Sequence, residues 1–220
     1  MGDAAHQVSP FGARGANSGF QDADDLMWKL GLVIQGQASE KLLDSYAMDR
    51  QFAADENIMN STRSTDFITP KSRTSKTFRN QVLALAKHYP FARKLVNSGR
   101  LSVPSFLTGS MLNTPDADAF EGNMVPGAPM DDAPIQSDGQ DAWLLDQVGR
   151  GFAVLLFVDA APDAQTLAAL QALKHGAVPV DSLIVSRQAL QVPGLKVLVD
   201  AQGWLSLIHI SEPTRQAEIS

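Results

Sequence analysis

The stretch Gly2-Asp3-Ala4-Ala5-His6, then Pro10-Phe11-Gly12-Ala13-Arg14-Gly15-Ala16-Asn17-Ser18-Gly19, then Gln21-Asp22-Ala23-Asp24-Asp25-Leu26-Met27-Trp28-Lys29-Leu30, decides how the chain is read. Glycines at 12, 15 and 19 stand directly ahead of a segment with helical periodicity. Glycine lets the backbone take positive φ and come close to a ligand. A helix beginning there leaves its first N–H groups unpaired and turns its positive dipole end to the same spot. The expectation is a place where main chain holds something planar or anionic. Glycine-rich turns ahead of helices are common, so the specificity lies in the whole string.

That string resembles the second flavin-binding motif of the FAD-dependent aromatic monooxygenases, the para-hydroxybenzoate, phenol and hydroxyphenylpropionate hydroxylases. The shared pattern is Gly-Asp-Ala-Ala-His, a Pro, spaced Gly residues with an Asn, then Asp-Ala and a Trp-Lys-Leu helix. The resemblance implies that the Asp3 carboxylate accepts a hydrogen bond from a ribityl hydroxyl of FAD. It implies also that the backbone from Gly12 to Asn17 passes beside the pyrimidine edge of the isoalloxazine. The cofactor-binding set so carried over is Asp3, Pro10, Gly12, Ala13, Arg14, Gly15, Ala16 and Asn17. Phe11 and Arg14 would line the active-site side, with Arg14 available to NAD(P)H or an acidic substrate. His6 invites a catalytic reading, but orienting the loop by hydrogen bonding is the simpler role.

The implied activity is hydroxylation of a phenolic ring with FAD, NADH or NADPH and O2, by an enzyme that is a homodimer at full length and cytoplasmic. Reduced flavin is anionic around N1 and the C2 carbonyl, so preorganised N–H donors at a helix start stabilise it. Each charge-assisted bond contributes roughly 1.5–3 kcal/mol, and the dipole about 0.3–1 kcal/mol. The cofactor carries the chemistry and the protein orients it and excludes water. No catalytic side chain is therefore assigned.

The 220 residues carry a net charge of −6, with 44% hydrophobic and 19% charged side chains, ordinary values for a globular chain of one or two domains. No basic surface argues for nucleic acid or anionic membrane, and no apolar run of about 18 residues could span a bilayer. Without cysteine there is no disulfide or thiol chemistry. The four histidines show no metal-ligand spacing. No Gly-x-Gly-x-x-Gly turn for a pyrophosphate is present either. By the resemblance that turn belongs nearer the start of a longer polypeptide, so residues 1–99 read as the C-terminal, helical part of a Rossmann-like FAD-binding domain. Alone, such a portion should be inactive and should not retain FAD through gel filtration.

Apolar residues at Phe20, Ala23, Met27, Leu30, Val33 and Ile34 predict one buried helix face, capped by Asn17 or Ser18, with Asp22 in the first turn and Gly36 as the stop. Trp28 is expected in packing and Lys29 in solvent. A second helix, capped by Ser39, favours one side through Leu42, Leu43, Tyr46, Phe52 and Ala53, with Asp49 and Arg50 as structural ion-pair partners. Residues 60–74 read as a turn or frayed end. A third helix opens at Ser75, runs through Phe78, Val82, Leu85 and Tyr89, breaks at Pro90 and stops at Asn97-Ser98-Gly99. Arg73, Lys76, Arg79 and Lys87 form a solvated face.

Residues 100–140, rich in proline, read as a linker. Met124–Pro129 resembles the entry to the thioredoxin-like tail domain of phenol-hydroxylase relatives, and 141–204 is expected to be a truncated α/β domain of that kind. Its expected elements are a strand at Phe152–Val158, a helix at Ala164–Leu173, strands at Val180–Ser186 and Leu195–Val199, and a turn at Asp200–Gly203. Asp159-Ala160-Ala161-Pro162 stands where a redox thioredoxin has Cys-x-x-Cys, so dithiol exchange is excluded. The last strand is expected to leave an open edge. Leu205–Ser220 resembles a translated sequencing-library adapter and is set aside from the fold, although Leu207-Ile208-His209-Ile210 could pair with that edge. Two further readings stay open: a same-fold FAD oxidoreductase acting on a polyketide or other non-phenolic substrate, and, for 100–204 alone, a non-catalytic dimerisation or binding module.

Overall fold

A computed structural model describes residues 1–10, 13–96, 103–117 and 124–205. Of these, the residues within Met1–Thr114 and Gly127–Pro129 make one compact unit, and those within Pro115–Pro126 and Met130–Ser220 another. Phe11, Gly12, the expected stop at 97–99 and the strand-like 207–210 lie outside the described residues.

The first unit is helical. A short 3-10 turn, Gly2–Ala4, leads through an extended segment to α1 (Arg14–Ile34), followed by α2 (Leu42–Ile68), α3 (Arg73–Ala86) and α4 (Pro90–Val96). Helix α1 starts three residues before the expected cap: Ala13 is the N-cap, in the left-handed region (φ 51, ψ 33), and no side chain caps the turn. Asn17 is inside the helix and returns its amide to the Ala13 carbonyl at 3.0 Å. Asp22 consequently sits in the third turn, not the first. The stop is as expected. Gly36, at φ 69, closes the helix by donating to Val33 while Gln37 donates to Leu32, the Schellman arrangement.

The buried face of α1 differs from the apolar stripe. Phe20, Met27 and Ile34 are 75%, 68% and 76% exposed, while Arg14, Ser18, Asp22 and Lys29 are buried. The helix packs its polar stripe on α2, whose buried residues include Ser45, Asp49, Arg50, Asn57, Asn60 and Ser61. Ala53 and Ala54 are buried between them, but Phe52 points out at 50% exposure. Asp49, Arg50 and Asn57 tolerate this burial by pairing across the seam, and Ser45 and Ser61 by donating to carbonyls of their own helix. Helix α2 begins without the Ser39 side chain, whose carbonyl instead receives the Leu42 N–H. It also runs on through 60–68, where a turn was expected. Hydroxyls of Ser61, Ser64 and Thr65 bond to carbonyls three or four residues back, so the polar run is satisfied within the helix.

Helix α3 is capped by Ser72, which accepts the Ser75 N–H at 3.0 Å, and only Val82 of its apolar positions is buried. Arg73, Lys76 and Lys87 are exposed, and Arg79 donates to the Ile68 carbonyl at the end of α2. The break falls at Pro90, which opens α4, since a first-turn proline loses no helical bond.

The second unit is a five-stranded mixed sheet in the order β2-β1-β5-β4-β3. Its elements are β1 (Pro134–Ser137), β2 (Gln140–Trp143), α5 (Leu144–Val148), β3 (Phe152–Phe157), α6 (Ala164–Leu173), β4 (Val180–Ser186) and β5 (Lys196–Val199). Strands β3, β4 and β5 are parallel, and β1 lies antiparallel to both β5 and β2. The hairpin was not expected, because its first strand lies in the proline-rich stretch read as linker. Its turn is Asp138-Gly139, both at positive φ (53 and 76), the pairing that matches strand twist. The hairpin also overturns the open edge: β5 is interior, flanked by β4 and β1.

Alternation along the strands divides the core. Leu183, Val185 and Leu198 face one side with Ala133, Ile135, Leu144 and Leu205, while Ile184 faces the other with Leu170 and Val192. Asp163 caps α6 through the Thr166 N–H, and that bond first among others holds its carboxyl below the ordinary range. Leu205, set aside with the tail, belongs to the core at 1% exposure. The buried Asp200 carboxylate, accepting N–H groups of Trp204 and Leu205 at 2.9 Å, turns it inward.

Candidate functional site

The site is built where residues 1–10 run along the start of α1. Asp22, 1% exposed, is its centre. One carboxylate oxygen accepts the Gly2 N–H at 2.8 Å and meets His6 Nε2 at 2.7 Å; the other accepts Arg50 Nε at 2.8 Å. Burial pushes the Asp22 pKa up, but the Gly2 and Arg50 hydrogen bonds, the His6 contact and the Arg50 charge together outweigh it. Its carboxyl is held below the usual value of 3.8. The buried negative charge also adds to burial in raising the Tyr46 phenol.

Around this centre the turn closes on itself, Ala5 and His6 N–H both donating to the Gly2 carbonyl. Asp3 is exposed on that turn. His6 Nε2 is spent on Asp22, in keeping with an orienting role, and its Nδ1 is buried without a hydrogen-bond partner. Further along, Ser9 is tied to Thr65 of α2 at 2.7 Å.

The expected ligand-binding positions separate into two groups. Pro10, Ala13, Ala16 and Asn17 are exposed and Gly15 half-buried about the first turn of α1, where the Ala13 N–H donates to the Pro10 carbonyl at 3.2 Å. Arg14 turns inward: its guanidinium donates to Asn57 and, at 2.6 Å, to the Val103 carbonyl. Gly12 is outside the described residues. Gly15 and Gly19 are helical, so positive φ is not their reason, and a Cβ at Gly19 would meet the Gly2 Cα at an ordinary 3.8 Å. The left-handed residue is Ala13.

A second buried cluster lies further along the same seam. Lys29, wholly buried, donates to Asp25 at 2.9 Å and Asp49 at 3.2 Å, and Asp49 also accepts Ser110 Oγ at 3.0 Å. Lys29 is thus the buried partner and Trp28 the half-exposed one, the reverse of the expectation; Lys29 Nζ lies 5.3 Å from the Trp28 ring centroid. Asp49 and Arg50 are ion-paired, each with α1. Sequence reasoning missed Asp22, Lys29 and Asn57. The available signal was the helical spacing of Arg14, Ser18, Asp22, Asp25 and Lys29, a polar stripe on a helix already read as amphipathic.

Residues 1–61 match the family described as FAD binding domain. The chain is 34% identical over 160 residues to the 3-(3-hydroxy-phenyl)propionate/3-hydroxycinnamic acid hydroxylase of Mycolicibacterium gilvum (strain PYR-GCK), and 31% identical over 156 residues to that of Escherichia coli (strain K12). These matches support an FAD-dependent aromatic hydroxylase family for the chain. Each alignment takes in 70% of this chain and 27% of the hydroxylase, so the chain spans about a quarter of the length of these relatives. Among solved structures, a ternary complex of aklavinone-11 hydroxylase with FAD and aklavinone covers 94% of the chain, with TM-score 0.60 and 23% identity. That match takes in 35% of the neighbour. The rebeccamycin biosynthetic enzyme RebC with reduced flavin covers 84%, with TM-score 0.56 and 22% identity, over 36% of its own chain. These two likenesses concern the fold, a mixed α/β one. Among the described residues there is no helix long and apolar enough to cross a membrane and no acidic or histidine cluster fit for a metal.

Proposed function

We propose that this chain is the flavin-contacting and tail portion of an FAD-dependent monooxygenase that hydroxylates a small phenolic substrate with NADH or NADPH and O2. The observation that carries it is the first turn of α1, left without a side-chain cap and entered through a left-handed Ala13. Such a turn offers backbone N–H groups to an electron-rich edge. The residues fit the cofactor. Ala13, Arg14, Gly15, Ala16 and Asn17 would contribute main chain to the flavin ring edge, with Pro10 at its approach. Asp3, exposed on a fixed turn, would accept a ribityl hydroxyl. FAD, when bound, supplies oxygen activation and transfer to the ring. The chain's part is to orient it, and Arg14 serves by bracing α1 rather than by meeting an acidic ligand.

In the same reading, 1–99 is the flavin portion, and the sheet from Pro134 to Leu205 is a thioredoxin-like scaffold. Lacking cysteine, that scaffold has no redox chemistry of its own and serves assembly, as a homodimer in the cytoplasm. The relatives' named substrates suggest a phenol bearing a short carboxylated side chain. Equilibrium titration of the 220-residue chain with riboflavin and with lumiflavin, which lacks the ribityl chain, tests the flavin reading. Riboflavin should be preferred, and Asp3→Ala should remove about 1.5–3 kcal/mol of that preference, the range for a hydrogen bond to a charged group. Equal binding of both flavins, or an unchanged preference in Asp3→Ala, refutes it.

A further inference from the structure

We infer that Asp22 is a positioning residue for Asp3: it holds Gly2 and His6, which flank Asp3 on either side, and so sets where the Asp3 carboxylate stands. The inference rests on the reading of Asp3 as a flavin contact, but the anchoring itself can be measured without flavin. Asp22 is 1% exposed and cannot be reached by a ligand. The same carboxylate oxygen takes the Gly2 N–H and meets His6 Nε2, at 2.8 and 2.7 Å. The Gly2 carbonyl in turn closes the turn by accepting from Ala5 and His6. Residues 2 to 6 are thereby fixed at both ends to one atom. Arg50, on α2, holds the other oxygen at 2.8 Å and so prevents the carboxylate from rotating.

The alternative anchors are few. Among the described residues, the next hydrogen bond from this segment to a helix is Ser9 to Thr65, six residues beyond Asp3. Gly2, at φ 59, has no side chain with which to hold itself. An asparagine at 22 keeps the size and one acceptor oxygen. It cannot place an anionic oxygen toward Gly2 and His6 and another toward Arg50 at once. The turn should therefore loosen while α1 and α2 stay packed through Lys29, Asp49 and Asn57.

The experiment takes Asp22→Asn, Asp3→Ala and the double variant in the 220-residue chain. Amide exchange at Gly2, Ala5 and His6 should quicken at least tenfold in Asp22→Asn, with Ala53 and Asn57 of α2 unchanged. Unchanged exchange in the turn overturns the inference. Equal loss throughout α2 also overturns it, because Asp22 would then be a general folding residue. Riboflavin titration supplies the coupling: Asp22→Asn should weaken binding at least fivefold when Asp3 is present and less than twofold in the Asp3→Ala background, the non-additivity of residues acting through one another. Equal losses in both backgrounds overturn it. A wild-type chain with no preference for riboflavin defeats the flavin reading alone, while the exchange result still decides whether Asp22 fixes the turn.

Discussion

Lys29→Met is the sharpest test of the α1–α2 seam. Lys29 is fully buried between Asp25 and Asp49, themselves 19% and 5% exposed. Methionine fills most of the same length, so the cavity contribution is small. What is lost is the positive charge. Asp25 can turn to water, but among the described residues Asp49 keeps only Ser110 Oγ as a side-chain donor. Removing one partner of a buried pair costs about 3–5 kcal/mol. With the Ser110 bond retained, the expected loss is about 3 kcal/mol, and the first unit should melt some 10–20 °C lower. Circular dichroism at 222 nm follows the transition, since the long helices lie in that unit. Adding Asp49→Leu removes the stranded charge and should recover at least half of the loss, as replacement of whole buried pairs by apolar groups often does. A single variant within about 0.5 kcal/mol of wild type, or a double variant no better than the single, would refute the argument.

The folded Asp22 carboxyl lies below its ordinary value of 3.8, so its contribution is whole above the unfolded value and lost as pH falls through the folded one. The stability difference between wild type and Asp22→Asn, from urea melts, should hold level from pH 7 to about 4.5 and shrink below 3.8; shrinkage already complete at pH 4.5 contradicts this. Gly127 sits at φ 83, and a Cβ there would lie 2.3 Å from the Leu107 carbonyl oxygen, closer than contact allows. Gly127→Ala should therefore cost about 1–3 kcal/mol and speed exchange of the Leu107 amide, which donates to Gly127; an unchanged melt would show that main chain yields freely there. Leu205→Ala should destabilise the second unit by about 2–5 kcal/mol, read by urea denaturation, and a loss under about 0.5 kcal/mol would remove Leu205 from the core.

The parts legible in sequence are those where local pattern and tertiary demand coincide. The β3–α6–β4 run is one: continuous apolar strands and a capped helix whose residues Ala164–Leu173 are as expected. The Gly-Asp-Ala-Ala-His string is another, because a string of that length carries a family resemblance that no one residue in it does, and residues 1–61 match the FAD binding domain. The buried side of α1 was not legible. Hydrophobic periodicity points to the face that will be covered, but it says nothing of what covers it. Here the covered side on α2 is polar and the apolar stripe stays open among the described residues. The β1–β2 hairpin carried its own signal in Asp138-Gly139, which the surrounding prolines obscured. Asp22 was read as a charge near a helix start because the cap was placed at least four residues late, and that displacement hid its role.

The pairings across the helical hairpin also act as an address. Arg14 meets Asn57, Ser18 meets Asn57, Asp22 meets Arg50 and Lys29 meets Asp49, numbers that rise on one helix as they fall on the other. An apolar seam would be nearly indifferent to sliding by one turn, about 5.4 Å. Here the same slide would strand Asp22 and Lys29 opposite uncharged neighbours such as Ala54 and Ala53, at several kcal/mol per buried ion. During folding, a misaligned α1–α2 pair is thus expelled rather than trapped, and the turn that carries Asp3 is placed by arithmetic along the helices rather than by the bulk of a core.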